Sequence, residues 1–238
     1  MEHMNKLESA INDYVMPEEA KRLILDHPSL NIAGPTGAGK GTMAQYLTQT
    51  GDYNPVVSDT TRQPRPFGNG YEVNGVHYWF IDEETALRKL RDGAYVEAKL
   101  VHGDTLYGTS IDSYKRVVEN GRTPILEIDV KGMEELMLAA PGFEAMLLLP
   151  PSFKIWEQRI DGRGDIDLKQ KIRRFGTAVM EYSKPIENHG FYPVINTEVV
   201  DTAQIIMSGA YRDEAYRIKA LGLASELGES TQAYLDAQ

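Results

Sequence analysis

The stretch that most constrains this chain is Gly34-Pro35-Thr36-Gly37-Ala38-Gly39-Lys40-Gly41-Thr42, which follows the short apolar run Ser29 to Ala33. Glycines at 34, 37 and 39 open backbone conformations closed to residues with a Cβ, so successive N–H groups can turn toward one anion. A helix starting near Lys40 adds the positive end of its dipole, and Lys40 adds a mobile full charge. The pattern G-x-x-x-x-G-K is met by Gly34, Gly39 and Lys40. Gly41 stands where Ser or Thr is usual, and Thr42 follows at once. A Gly-rich turn can be no more than a tight connection. Strand, spacing, lysine and helix together predict a nucleoside-triphosphate site.

Around this loop the chain alternates between the two structural periods. Residues 1–27 read as two short helices, the second starting at Pro17-Glu18-Glu19. The loop helix runs on from Thr42 to Thr50 and stops at Gly51. Val56-Val57-Ser58 and His77 to Phe80 read as extended, Asp82 caps a helix to about Arg91, and Tyr95 to Leu100 reads as a strand carrying Glu97. A helix then ends near Asn120-Gly121, and Thr123 to Val130 is the clearest buried strand. Further helices are predicted over Lys131–Leu138, Ser152–Ile160 and Asp167–Glu187, with strands over Ala145–Leu149 and Pro193–Asn196 and a largely helical tail. Such alternation predicts an α/β fold with a mostly parallel sheet covered on both faces.

Composition narrows the class of partner. The 238 residues, 42% of them hydrophobic, are enough for one α/β domain with insertions. No apolar run approaches the ~20 residues of a membrane span, and the N-terminus lacks a signal-peptide pattern. The absence of cysteine excludes disulfides and thiolate metal sites, and fits a cytoplasmic protein. A net charge of −10 argues against nonspecific nucleic-acid binding. The local arginine clusters, Arg62/Arg65 and Arg159/Arg163/Arg173/Arg174, instead suit a small anionic ligand.

Four constellations carry chemistry. Thr61-Arg62-Gln63-Pro64-Arg65 places two guanidinium forks on a proline-stiffened segment, where they can hold phosphate or simply meet solvent; Tyr78 and Tyr107 are candidate hydroxyl donors to the same phosphate. Glu97, set in a strand, needs a partner: adjacent N–H donors such as guanine's, or a lysine such as Lys99. Glu127 and Asp129, two apart in the predicted strand, would share one face at the end of a parallel sheet. There one could hold Mg2+-bound water and the other reach a base. Arg159, Arg163 and Arg174 surround the Gly162/Gly164 hinge and suit charge compensation during phosphoryl transfer.

The ordered set GPTGAGKGT (34–42), VSDTTRQPRP (57–66), VNGVHYWF (73–80), YVEA (95–98), YGTS (107–110), ILEIDVKG (125–132), LLPPS (148–152), RIDGRG (159–164) and VIN (194–196) resembles the guanylate kinases. The resemblance covers roughly residues 29 to 200 and implies a P-loop core with a mixed α/β GMP-binding insertion at about 58–122 and a helical lid at about 152–175. Residues 1–28 would be an N-terminal helical extension and 201–238 a C-terminal helical segment. It implies transfer of phosphate from ATP to GMP or dGMP. By the same resemblance, Gly34, Pro35, Thr36, Gly37, Ala38, Gly39, Lys40, Gly41, Thr42 and Asn196 would hold ATP. GMP would meet Ser58, Arg62, Arg65, Tyr78, Glu97, Tyr107, Thr109 and Asp129, and Lys40, Arg159, Arg163 and Arg174 would be the catalytic cations. Mg2+ would be held mainly through ATP phosphates and water, with Glu127 and Thr42 as candidate protein donors. Phe67 to Gly70 look like an insertion, and the step from Glu97 to Tyr107 is one residue longer than the pattern. The alternatives are another small-molecule phosphate kinase on the same core and a noncatalytic interaction module. No nucleic-acid or membrane partner is expected, and monomer and homodimer are both left open.

Overall fold

The computed structural model describes residues 6–101, 104–162 and 167–238, which group into two compact units. One gathers the described residues up to Ser29 with Asn54–Pro124 and Leu138–Pro141; the other gathers Leu30–Tyr53, Ile125–Met137 and Gly142–Gln238. The chain begins with α1 (Lys6–Asn12), α2 (Glu18–Asp26), β1 (Leu30–Ala33), α3 (Lys40–Thr50) and β2 (Tyr53–Pro55). Next come β3 (Asp59–Thr60), β4 (Pro66–Phe67), β5 (Gly70–Tyr71), β6 (Trp79–Phe80), α4 (Glu83–Arg91), β7 (Tyr95–Val101), β8 (Thr105–Ser110) and α5 (Ile111–Glu119). The remainder is β9 (Thr123–Glu127), α6 (Val130–Ala139), β10 (Ala145–Leu149), α7 (Phe153–Asp161), α8 (Leu168–Glu187), β11 (Phe191–Ile195), α9 (Val199–Ser208) and α10 (Glu214–Asp236). Among the described residues no helix is long and apolar enough to cross a membrane.

The larger unit is built on a sheet of order β11-β10-β1-β9-β2, in which β1 runs parallel to β10 and β9, and β10 parallel to β11. A parallel strand covered on both faces reads as an uninterrupted apolar run, and all five residues of β10 are buried. Ile32, Met43, Leu47, Ile125, Met146, Leu148, Val194 and Ile206 form one core cluster, so α3 and α9 pack side by side over one face of β1, β9, β10 and β11. Gly51 closes α3 in the left-handed conformation, as its position in the sequence implies. One expectation is corrected here. The strand predicted over Thr123–Val130 ends at Glu127, and Asp129 instead starts α6, its side-chain oxygen accepting from Gly132 N at 2.8 Å. Glu127 and Asp129 therefore do not share a strand face. Capping chemistry outcompeted the apolar run.

In the smaller unit a sheet of order β6-β3-β8-β7 is mixed, β3 running parallel to β6 and antiparallel to β8. The sequence predicted β7 but left Thr105–Ser110 without a strand, because Gly108 interrupts a short segment already bounded by a turn signal. The glycine has a packing reason: a Cβ on Gly108 would lie 2.9 Å from the Tyr95 ring. The N-terminal helices pack in this unit. Leu7 joins Ala86, Leu90, Tyr95 and Leu106 in its core, and the Tyr14 hydroxyl accepts from Tyr95 N at 2.9 Å. His77 and Tyr78, expected in a strand, precede β6, which covers only Trp79 and Phe80. Val56 to Ser58, also expected to be extended strand, lie between β2 and β3.

Asp59 anchors that sheet. It is 1% exposed, ion-paired to Lys89, and accepts from the Tyr95 hydroxyl at 2.9 Å. Removing one partner of a buried pair costs roughly 3–5 kcal/mol, and less when the survivor can reach water. Since 23% of the Lys89 side chain is accessible, Asp59→Ala is expected to lower stability by about 2–3 kcal/mol. Urea unfolding followed by circular dichroism measures this; a change under about 1 kcal/mol would show the pair to be incidental.

Candidate functional site

The sequence motif becomes a tight glycine-rich turn in the larger unit. β1 ends at Ala33, and Gly34, Gly37 and Gly39 take φ values of 135°, 86° and 99°. Only glycine adopts these cheaply. Close packing adds a second requirement: a Cβ on Gly34 would sit 2.6 Å from Leu148 O, and one on Gly39 would collide with Asn196 Nδ2. Gly39 is also the residue before α3 and makes no side-chain cap hydrogen bond, so the positive end of that helix dipole is not met by a capping side chain. Lys40 Nζ donates to Gly34 O and, at 3.3 Å, to Pro35 O, so it closes the loop onto its own carbonyls. A Cβ on Gly41 would meet nothing within 4 Å, and Thr42 is exposed beside it.

Two side chains hold the loop from outside. Asn196 Nδ2 donates to Ala38 O at 2.7 Å and Trp156 Nε1 donates to Thr36 O at 2.8 Å. Asn196 thus reaches the phosphate loop with its own amide. Arg159, on α7, makes long contacts of 3.5 Å to the carbonyls of Asn196 and Thr197, and Arg174 lies partly buried on α8. Arg163 lies outside the described residues.

Glu127, Glu181 and Asp129 are the carboxylates of this unit that bear on the candidate site. Glu127 keeps an accessible side chain at the end of β9; the surrounding protein partly desolvates it and raises it above the ordinary carboxylate range, and the charge of Lys40 pulls it back. Glu181, on α8, is raised to about 7, first by burial, with Lys40 opposing and Asp129 adding to the shift. Asp129 and Glu181 line one cavity of about 460 Å3 between α6 and α8. Sequence inspection passed over Glu181, since an acid within a long helix ordinarily faces water.

The smaller unit carries the remaining candidates. Glu97 and Thr109 face each other across the β7–β8 ladder, and Thr109 donates to Glu97 Oε1 from both its backbone N (3.0 Å) and its hydroxyl (2.7 Å). Thr109 therefore stands opposite Glu97 in the ladder, which pairs without a break from there to Val101 and Thr105. Arg62 is committed to Glu72 through both arms of its fork, at 2.5 and 2.8 Å, while its Nε donates to the Tyr107 hydroxyl at 2.8 Å. Its guanidinium also lies 4.9 Å from the Tyr78 ring centroid, and Tyr78 meets Tyr107 edge-on. Arg62, Tyr78 and Tyr107 are therefore brought together. Arg65 is exposed next to them, its backbone N donating to Glu72 Oε2 at 2.8 Å. Ser58 immediately precedes β3 of the same sheet, its carbonyl accepting from Trp79 N at 2.8 Å. Glu72 was missed from the sequence: the β4–β5 hairpin carries it back to Arg62, and no periodicity announces that contact.

A parallel sheet whose first strand feeds a glycine-lysine loop, with an uncapped helix behind it, defines a P-loop nucleotide-binding protein. The sequence model of the guanylate kinases matches residues 28–212. Over 179 residues the chain is 35% identical to the guanylate kinase of Leifsonia xyli, spanning 74% of this chain and 67% of that protein. It is 36% identical to the guanylate kinase of Bifidobacterium longum, over 72% of this chain and 87% of that one. The crystal structure of the guanylate kinase from Anaplasma phagocytophilum superposes with a TM-score of 0.54 at 26% identity, covering 79% of this chain and 88% of that one. The chain belongs to the guanylate kinase family.

Two measurements test this geometry. In Gly39→Ala the strained φ and the collision with Asn196 add, and ADP affinity is expected to fall at least tenfold by calorimetry. An unchanged affinity would show that the loop does not need this conformation. The second concerns Glu72, which the Arg62 fork holds down at about 2 against an ordinary 4.5. A depressed carboxylate stabilises the fold above its unfolded pKa, and that contribution is lost as pH falls from about 4.5 to about 2. Urea midpoints should therefore drop more steeply over that window in the parent than in Glu72→Gln; parallel curves would refute the pairing.

Proposed function

We propose that the chain transfers the γ-phosphoryl group of ATP to GMP or dGMP, with the Gly34–Thr42 loop and Lys40 holding the donor. The observation that carries this reading is the combination of an uncapped α3 N-terminus with positive φ at Gly34, Gly37 and Gly39. Both concentrate positive potential where triphosphate oxygens would lie. In the smaller unit, Arg65, Arg62, Tyr78 and Tyr107 supply charge and hydroxyl donors for the GMP phosphate. Glu97, oriented by Thr109, takes guanine's adjacent N1–H and 2-amino donors, with Ser58 as a further contact. Adenine offers no such pair to a carboxylate. Polar groups left unpaired by the wrong substrate can discriminate by up to ~10⁴–10⁵.

The acceptor phosphate is already an anion, so no general base is required. Catalysis then rests on in-line positioning and on charge compensation by Lys40, Arg159, Arg163 and Arg174. Residues of about 58–122 form the acceptor-binding part in this reading, and those of about 152–175 the arginine-bearing lid. Among the described residues no three His, Cys, Asp or Glu side chains converge as a metal cage. This donor set fits a cation that arrives with the nucleotide: Glu127, near enough to Lys40 to feel its charge, and the Thr42 hydroxyl are hard oxygen donors. Magnesium bound there would supply neutralisation of the phosphate charge.

A coupled assay of ADP release with GMP, AMP, UMP and CMP as acceptors decides the reaction. GMP-dependent turnover is expected, and ATP binding without it would sink the enzyme reading. For the guanine contact, Glu97→Gln should lower kcat/KM for GMP by about 10–100-fold, the range for a hydrogen bond to a charged group. ADP affinity should stay within about twofold. Equal losses at both nucleotides would refute the role given to Glu97.

A further inference from the structure

A loop that gathers N–H groups on one side must turn its carbonyls to the other, because the two point in opposite directions across a trans peptide. The described chain contains no cis peptide. The Thr36 carbonyl shares its peptide plane with Gly37 N–H, so whatever holds that oxygen also aims that amide. It is held by Trp156, which is fully buried on α7 and donates its indole N–H at 2.8 Å. α7 presses on the same spot again: a Cβ on Gly37 would lie 2.9 Å from Ile160 Cδ1.

Trp156 does not stand alone. Its ring stacks on Phe175 of α8 at 4.5 Å and 25°, and Tyr234 of α10 covers Phe175 at 4.9 Å. Lys171 ties this stack to α7, sitting 5.3 Å from the Tyr234 ring centroid while ion-paired to Glu157 at 2.9 Å and Asp161 at 2.8 Å. Tyr234 lies beyond residue 212, where the match to the family's sequence model ends. All these residues fall in one compact unit.

We infer that Trp156 is a positioning residue for the phosphate loop, fixing the Thr36–Gly37 peptide so that Gly37 N–H faces the donor phosphates, and that the C-terminal helix α10 holds it there through Tyr234. The inference rests on the loop being the ATP site. The tail is thereby part of the donor site's architecture and not an appendage. Because the indole N–H serves only the loop, its loss acts on one nucleotide.

The test is calorimetric titration of the full-length protein with ADP and, separately, with GMP, alongside the coupled assay. Trp156→Phe keeps a ring in the stack and removes the N–H. It should weaken ADP binding about 3–10-fold, as expected for one aiming hydrogen bond, and raise KM for ATP in step. GMP affinity should stay within about twofold. Tyr234→Leu should shift ADP affinity in the same direction by about 2–3-fold, again sparing GMP. Unchanged ADP affinity in Trp156→Phe overturns the proposal, as does an equal loss for ADP and GMP accompanied by a lower thermal midpoint, which would mark a purely structural ring. If the Phe variant does not fold, Tyr234→Leu decides alone, and unchanged ADP affinity there overturns it. Absence of GMP turnover in the parent, with ADP bound, would instead remove the kinase reading and leave the loop geometry standing.

Discussion

Backbone carbonyls need partners wherever backbone amides are reserved for a ligand, and the larger unit is arranged around that requirement. Between Gly34 and Gly39 the backbone keeps one turn bond, from Ala38 N to Pro35 O at 3.0 Å, and a buried segment tolerates its outward oxygens only if they are satisfied. Lys40 takes those of Gly34 and Pro35, Trp156 that of Thr36, and Asn196 that of Ala38. Each partner comes from a different element. The parallel order of β11, β10 and β1 is what brings Asn196, just past β11, and α7, just past β10, to the end of β1.

The smaller unit solves a related problem with side chains. Its sheet is short, and three polar groupings do the orienting: Asp59 with Lys89 and Tyr95, Arg62 with Glu72 and Tyr107, and Glu97 with Thr109. Each places a charge where it would be costly alone, and each is fixed in direction by its partner before any ligand arrives. The Arg62–Glu72 fork has a further meaning. Arg62 is the candidate most firmly occupied by the protein itself, whereas Arg65 next to it is exposed.

Much of this was legible from residue order because it depends on local rules. Gly39-Lys40, Asp82, Ser152 and Asp167 announce helix starts by their own chemistry, and the helices begin beside them. β10 declares its burial by composition. The family resemblance placed the site residues in two groups, and Glu97 and Thr109 do meet. Local rules also misled where they competed: Thr123–Val130 was apolar enough for one strand, yet Asp129 capped a helix instead. The β8 strand hid because its glycine serves the Tyr95 ring across the sheet and not its own backbone.

The sequence by itself determined the α/β architecture, the phosphate loop and membership of a nucleotide-kinase family, since glycine placement, caps and apolar periods act over a few residues. Only the tertiary structure decided which partners those residues take. Glu72 meets Arg62 across 10 positions and Trp156 meets Thr36 across 120, while Tyr234 reaches Phe175 from the last helix. Contacts at such separations leave no periodic trace in the chain. They exist because strand order and helix packing carry distant segments to the same place, and a hydrogen bond or ring stack forms only where both ends arrive.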